Sequence, residues 1–476
     1  MSKLTLLSKI KKKVNVTGIT SDSRNIKKGY IFFVITGYSV DGKKYIDEAI
    51  KKNASAIVTI DRKIKIKNIE IFYVKDIRKA LSETSFEFYK SKIDYLIAVT
   101  GTNGKTSVSY FIFNILKKLN KRVGIIGTIG NSTSIKKRSN LTTPDPITIA
   151  KTLQKMGRKN INYVVMEASS HGLEQNRLAG LYFDLGIMTN ISHDHLDYHK
   201  NFNNYLNSKL KLFINHIKKE GHGIINKNIN QIKKIKKCLI DIKKIHYLDE
   251  GNNNIFILKN IEIVKQANTI VSLEYNKKNY DLVFKDTPLF QIHNLLLAYN
   301  SLVVMGFSFF KIKKFITKMP QIPGRMQFVG YKKSNSAKIF VDFAHTPDAL
   351  KTILIETRKI TRGKLHILFG CGGDRDKTKR RKMGIISVKY ADKVIVTDDN
   401  PRYENPKKIR NDIIGNVSKI INYPNRRNAI NKSIKNLKKL DVLIIAGKGH
   451  EKYQIIKGNY IKFDDVKIAK HACNQL

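Results

Sequence analysis

Cysteine is scarce in this chain. Its three cysteines, Cys238, Cys371 and Cys473, lie far apart and form no CxxC pair. That excludes a disulfide framework and suits a reduced, cytosolic protein. Acidic residues are also few: 38 Asp and Glu stand against 89 Lys and Arg, a formal net charge of +51 over 476 residues. Such a charge by itself would suggest a nucleic-acid partner. However, the lysines are spread through the chain in short runs (Lys11 to Lys13, Lys233-Lys234, Lys236-Lys237, Lys438-Lys439) beside Ile and Asn. No stripe alternates basic residues with aromatics, so the bias reads as solvated positions, although the field should still draw anionic substrates such as nucleotides. Long apolar runs are missing as well. No signal-length apolar core precedes the first lysine cluster, and the longest apolar stretch, Phe290 to Phe310, carries Gln291, His293, Asn294, Asn300 and Ser301. It predicts a soluble core helix, not a membrane span. There is no internal repeat.

What is present begins at residue 97 with Ile-Ala-Val-Thr-Gly-Thr-Asn-Gly-Lys-Thr-Ser. An apolar strand (Tyr95 to Val99) breaks at Gly101 into a short loop, and Val108, Tyr110, Phe111, Phe113 and Leu116 then follow a helical period. Strand, loop and helix in this order make a phosphate cradle from Gly101, Thr102, Asn103, Gly104, Lys105, Thr106 and Ser107. Amide N–H groups at the helix start would face a polyphosphate, Lys105 would reach its terminal phosphates, and Thr106 would ligate Mg²⁺. Two residues instead of the usual four separate Gly101 from Gly104. An ordinary strand-to-helix turn is therefore the competing reading.

Three blocks separate along the chain. Residues 1–90 hold short strands (Tyr30 to Ile35, Ala56 to Ile60, Glu70 to Val74) between helices. Residues 91–324 alternate strands and helices, including Tyr163 to Glu167 and Leu185 to Thr189. Residues 325–476 follow the hinge candidate Pro320-Gln-Ile-Pro-Gly-Arg325 and carry strands at Ala337 to Val341, Leu365 to Phe369, Lys393 to Thr397 and Val442 to Ala446. Alternation predicts parallel sheets with ligands at the carboxyl ends of the strands. The expected fold class is α/β with a small N-terminal α/β domain, a central mononucleotide-binding parallel sheet and a doubly wound, Rossmann-like C-terminal domain. The lysine-rich region from Lys218 to Lys244 is expected to be solvated helix and loop.

Glu167 ends its strand where a Mg²⁺ ligand would stand opposite the loop. The tract His193-Asp-His-Leu-Asp-Tyr-His199 first suggests zinc, but neither a cysteine nor a His-Glu-x-x-His pattern supports it.

The segments Thr100 to Thr106, Met166-Glu-Ala-Ser-Ser-His-Gly172, Asp194-His-Leu-Asp197, His293-Asn294, Pro323-Gly-Arg325 and Asp342-Phe-Ala-His-Thr-Pro-Asp348 together resemble the Mur ligases, ATP-dependent amide-forming enzymes of peptidoglycan synthesis. Gly370-Cys-Gly-Gly-Asp-Arg-Asp376, Asp399-Asn-Pro-Arg402 and Gly447-Lys-Gly-His-Glu451 resemble the branch of that family that adds meso-diaminopimelate to a UDP-muramoyl dipeptide. The resemblance implies ATP as co-substrate, Mg²⁺ held by Thr106, Glu167 and His195, and an acyl-phosphate intermediate. It also implies a lysine carbamoylated by CO₂, aligned with Lys209 and two residues from Lys211. For the nucleotide it implies contacts from Asn294, Arg325 and Asp342, so that ATP would lie between domains that close on it. For the UDP-muramoyl peptide it implies Ser21, Ser23, Tyr38, Ser39 and Val40 on the uridine side, and Thr142, Thr143, Ser169, Gln175 and Arg177 on the peptide side. Leu141 departs from the family there, where a polar residue often precedes the Thr pair. For diaminopimelate it implies Arg375, Asp399, Asn400, Pro401, Arg402, Gly447 and Glu451. The resemblance further implies a cytoplasmic monomer with no nucleic-acid or membrane partner. The competing readings are a lysine-adding Mur ligase, a folylpolyglutamate synthetase and, from charge and loop alone, a nucleic-acid-binding ATPase.

Overall fold

The structure is a computed structural model of the chain, and it describes residues 4–36, 41–132, 141–192, 194–226, 229–242, 244–248, 257–264, 268–285, 287–316 and 321–475. It divides into two compact units, residues 1–250 with 304–306 and residues 251–303 with 307–476.

The first unit contains two sheets. Strands Gly18–Thr20, Tyr30–Phe33, Ala56–Thr59 and Glu70–Tyr73 pair in chain order, all parallel. Alternate residues of these strands enter two small cores: Ile31, Phe33, Ala56 and Val58 face one, while Phe32, Val34 and Ile57 face the other. The larger sheet has seven strands in the order Ile245–Tyr247, Ile217–Ile225, Phe183–Met188, Tyr95–Thr100, Tyr163–Glu167, Val123–Gly127 and Gly130–Ser132, of which only the last pair is antiparallel. Because Tyr95–Thr100 lies between Phe183–Met188 and Tyr163–Glu167, the carboxyl ends of these three strands gather the Gly101 loop, Glu167 and Thr189 at one place. That is the topological position where open α/β sheets bind ligands.

The second unit is built on a six-stranded sheet in the order Gln327–Tyr331, Lys338–Val341, Val442–Ile445, Leu365–Phe369, Lys393–Thr397 and Ile420–Tyr423, parallel except at the first strand. Its central strands are predominantly apolar because both faces are covered. Phe340, Val442 and Ile444 enter one core, and Ile339, Leu443 and Ile445 the other. The carboxyl ends of the four strands from Lys338–Val341 to Lys393–Thr397 bring Asp342, Gly447–Glu451, Gly370–Arg375 and Asp399–Arg402 to one rim. A three-stranded antiparallel sheet (Ile257–Val264, Asn268–Tyr275, Lys278–Lys285) and the hairpin Tyr453–Ile456 and Asn459–Lys462 complete the unit.

Two expectations are corrected. The stretch Phe290 to Phe310 is not one helix: Leu289–Val304 is helical, the chain turns at Gly306 with φ +87, and a second short helix spans Phe309–Lys313. A left-handed residue cannot continue a right-handed helix. The region Lys218 to Lys244 is not all helix and loop, because Ile217–Ile225 is a strand of the large sheet. Ile224 and Ile225 are buried there, and the lysines before them hid the β-pattern.

Candidate active site

The Gly101 loop is shaped by two glycines. Gly101 has φ +146, and a Cβ on it would stand 1.9 Å from Thr189 Oγ1. Gly104, with φ +82, is the N-cap of the helix Lys105–Lys118 and brings no side chain to its start. Thr102 N–H donates to the Asn190 carbonyl (3.0 Å) and Asn103 N–H to Asn190 Oδ1 (2.9 Å), so these two amides brace the loop against the Thr189–Ser192 segment. The helix start, where the positive end of the dipole lies, remains the place suited to an anion. The Thr102 hydroxyl points inward to Tyr205 Oη at 2.9 Å, and Ser107 is buried.

Lys105 Nζ donates to the carbonyls of Gly101 and Thr102, both at 2.8 Å. Lys209 Nζ donates to the same Gly101 carbonyl at 2.8 Å and lies 4.4 Å from the Tyr205 ring centre. Only 1% of Lys209 is exposed. Burial, with the nearby Lys105 charge, pushes the Lys209 amine well below the usual lysine range against a weaker opposing pull from Asp194. Lys211, on the same helix Phe202–His216, instead pairs with Glu174 at the surface at 2.7 Å.

Glu167 is buried and accepts from the Thr106 hydroxyl (2.9 Å), the Thr128 amide (2.8 Å) and the Thr128 hydroxyl (3.2 Å). Gly127 admits it because a Cβ there would meet Glu167 Oε1 at 2.3 Å. A buried carboxylate joined to a hydroxyl is a hard-oxygen donor set that fits Mg²⁺. No group of three or more His, Cys, Asp or Glu suited to a metal occurs among the described residues. Mg²⁺ takes one or two carboxylates and completes its shell with phosphates and water, so the two observations agree. His195, left-handed at φ +53, places its ring 4.7 Å from His171 and 6.4 Å from Tyr205, with Nε2 at 3.4 Å from Asp194 Oδ2.

On the peptide side, Thr143 is fully buried and its hydroxyl is used internally, donating to the Glu167 carbonyl (2.8 Å) and meeting Ser169 Oγ (3.0 Å). Arg177 donates to the Thr143 carbonyl and to Gln175 Oε1, both at 2.6 Å, and Gln175 reaches Tyr198 Oη at 3.1 Å. Burial depresses the Arg177 guanidinium. Thr142 lies 3.5 Å from the Thr128 hydroxyl, and Leu141 is exposed. In the small sheet, Ser23 is buried and Ser21 exposed in the turn after Gly18–Thr20, where Asp22 caps Arg24. Tyr38, Ser39 and Val40 lie outside the described residues.

In the second unit, Asp342 accepts from the amides of Met326 (2.6 Å) and Ala344 (2.7 Å). Burial raises its carboxyl above the ordinary range, although Arg325 and these amides oppose that. Arg325 lies over the Phe343 ring at 4.7 Å, its carbonyl accepts from Gln291, and Asn294 is buried on the same Leu289–Val304 helix as Gln291. At the neighbouring strand ends, Asn400 Nδ2 donates to Glu451 Oε2 at 2.8 Å, and Asp399 lies beneath Gly447. Gly447 has φ +106, and a Cβ on it would stand 2.5 Å from Asp399 Oδ2. Arg402 has φ +52 and is clamped by the hairpin, since its N–H donates to the Ile455 carbonyl (3.0 Å) and its carbonyl accepts from Lys457 (2.7 Å). Its guanidinium donates to the Gly373 carbonyl at 2.6 Å. Glu404, the obvious local partner, is instead held by the buried Arg380 through both oxygens at 3.0 Å. Arg375 is exposed on the same rim.

Sequence reasoning missed Thr128, Tyr205, Asn190, Arg380 and Lys448. Arg380 sits in the basic run Lys377 to Lys382 and reads as solvated, whereas Lys448 lies inside a motif already singled out. Nothing local marks the other three.

Comparison with known proteins places the chain in a family. Residues 15–89 match the Mur ligase family catalytic domain, residues 99–302 the Mur ligase middle domain and residues 324–449 the Mur ligase glutamate ligase domain. The chain is 43% identical to the UDP-N-acetylmuramoyl-L-alanyl-D-glutamate–2,6-diaminopimelate ligase of Rickettsia bellii (strain RML369-C), over 97% of each chain. It is 38% identical to the ligase of the same name from Clostridium tetani (strain Massachusetts / E88), over 97% of this chain and 96% of that one. A solved structure of a ligase of that name superposes with a TM-score of 0.68 at 29% identity, covering 97% of this chain and 95% of the other. A Mycobacterium tuberculosis folylpolyglutamate synthase, at 16% identity, TM-score 0.61 and coverage of 78% and 92%, shares the fold. With these matches across nearly its whole length, the chain belongs to the Mur ligase family.

Proposed function

We propose that this chain is the ATP-dependent ligase that joins meso-diaminopimelate to UDP-N-acetylmuramoyl-L-alanyl-D-glutamate in peptidoglycan synthesis, acting in the cytoplasm as a monomer of three domains, 1–90, 91–324 and 325–476. Arg402 is the observation that carries the choice of amino acid. Its backbone is clamped in a left-handed conformation, its guanidinium donates to a carbonyl, and the nearest acidic candidate, Glu404, is engaged by Arg380. Among the described residues no carboxylate pairs with this cation, so it suits the distal carboxylate that distinguishes diaminopimelate from lysine. Glu451 and the Gly447 carbonyl suit the distal ammonium, and Arg375 stands as a second contact for the amino acid.

The chemistry follows from the charges. The γ-phosphoryl group of ATP passes to the substrate carboxylate, ADP leaves, the amino group attacks the acyl carbon, and phosphate departs with an amide formed. Lys105 and the helix start stabilise the negative charge concentrated in the transfer. Mg²⁺, held by Thr106, Glu167 and His195, would neutralise the polyphosphate further. Lys209, whose amine is shifted by burial toward the neutral, nucleophilic form, adds CO₂ with loss of a proton to give an anionic carbamate. That carbamate supplies oxygen ligands where an ammonium would repel a cation. Asn294, Arg325 and Asp342 suit the nucleotide; Ser21, Ser23, Thr142, Ser169, Gln175 and Arg177 suit the UDP-muramoyl peptide. ADP release, followed with the UDP-muramoyl dipeptide and a panel of amino acids, tests the assignment. Turnover should require diaminopimelate, and a preference for lysine would overturn it.

A further inference from the structure

The rim that gathers Asn400, Arg402 and Glu451 also holds a buried cation with no assigned role. Lys448 is 0% exposed and lies between two left-handed glycines, Gly447 at φ +106 and Gly449 at φ +54. Its ammonium donates to Asn400 Oδ1 at 2.9 Å and to Glu451 Oε2 at 3.0 Å, with Asp399 Oδ1 at 3.7 Å. Burying an ammonium is costly, and it is offset only where partners of opposite charge and good geometry surround it. Here those partners belong to the amino-acid rim itself.

The hydrogen bonds form a closed set. Asn400 Oδ1 accepts from Lys448 and from the Ile455 amide at 3.0 Å, which fixes which end of the Asn400 amide is oxygen. Asn400 Nδ2 must then point at Glu451 Oε2, at 2.8 Å. Oε2 thus receives two donors, and Oε1 is the oxygen left to meet an ammonium. The Glu451 side chain is 23% exposed whereas Lys448 is wholly enclosed, so the carboxylate is within a ligand's reach and the lysine is not.

We propose that Lys448 is a positioning residue for amino-acid selection: it locks Asn400 and Glu451 in the one arrangement that presents a carboxylate oxygen to the distal ammonium of the incoming diamino acid. This rests on the diaminopimelate reading above. Lys448 acts through Glu451, so its removal strikes one substrate and not the others.

The test is steady-state kinetics of the full-length enzyme with Lys448→Met, and with Lys448→Gln, which keeps one hydrogen bond without the charge and guards against a misfolded Met variant. In both, KM for diaminopimelate should rise roughly 10- to 100-fold while KM for ATP and for the UDP-muramoyl dipeptide moves by no more than about twofold. Combined with Glu451→Gln, the loss should be clearly less than the product of the single losses, because both changes remove the same contact. An unchanged KM for diaminopimelate, a parallel rise for all three substrates, or multiplicative losses would overturn the inference while leaving the ligase reading intact. A wild-type enzyme that does not use diaminopimelate would sink both.

Discussion

Single residues at the phosphate loop carry the sharpest expectations. Lys105→Ala removes the charge proposed to stabilise the transferring phosphoryl group and should lower kcat by at least about 10²-fold, measured as ADP release. Intact-mass and peptide analysis should find one CO₂ on Lys209, and its appearance on Lys211 would shift the alignment by two residues. The depressed Lys209 amine also makes a stability prediction for protein kept free of CO₂. Between its lowered folded pKa and the ordinary lysine value the unfolded chain binds more protons, so stability rises with pH across that window. Lys209→Met should abolish that slope and raise Tm at neutral pH; an unchanged melting profile would contradict the burial argument. That Lys105 and Thr106 open a helix after a strand and loop, and that Glu167 ends a strand, could be read from the sequence; that Thr106 meets Glu167 is tertiary. The choice between Lys209 and Lys211 could not be read from spacing alone. Both are helical lysines in a lysine-rich chain, and the packing that buries one and pairs the other with Glu174 is tertiary.

At the scale of elements, what holds the C-terminal rim is testable through its pins. Arg426, opening the helix Arg426–Lys435, and Asp465, opening Asp465–Gln475, form a fully buried pair at 2.7 Å. Asp465→Ala strands the guanidinium and should cost ~3–5 kcal/mol in denaturant unfolding, while Arg426→Met with Asp465→Leu should recover much of the loss. Arg402→Ala leaves the hairpin clamp, which uses only its backbone, and removes the guanidinium. It should lower kcat/KM for diaminopimelate by roughly 30-fold or more, the ~2–5 kcal/mol of a truncated charge partner, with lysine affected far less. Strand positions such as Tyr163–Glu167, Leu365–Phe369 and Lys393–Thr397 were plain in the sequence, since parallel strands covered on both faces are predominantly apolar. The strand Ile217–Ile225 was not, because lysines at its start mask the buried isoleucines at its end.

At the scale of the whole molecule, the net charge of +51 has a consequence separate from nucleic-acid binding. Both nucleotide substrates are anions, so kcat/KM for them should fall as ionic strength rises from low salt through the range where the Debye length drops to about 8 Å. Added RNA or DNA should not stimulate ATP hydrolysis; stimulation would revive the nucleic-acid reading. Among the described residues no helix is long and apolar enough to cross a membrane.

The sequence by itself determined the α/β class, the phosphate loop and the motifs that mark the family, because each depends on residues adjacent in the chain or on a period of two or 3.6. Only the tertiary structure decided which oxygen Lys209 meets, that Glu404 belongs to Arg380 and not to Arg402, and that Lys448 lies enclosed beneath Glu451. Lys209 and Gly101, and Arg380 and Glu404, are distant in the chain, while Lys448 and Glu451, only three residues apart, are tied together by Asn400 from another strand end. Strand order, which no local pattern encodes, sets which ends become neighbours, and the burial that follows sets the charge each group can carry.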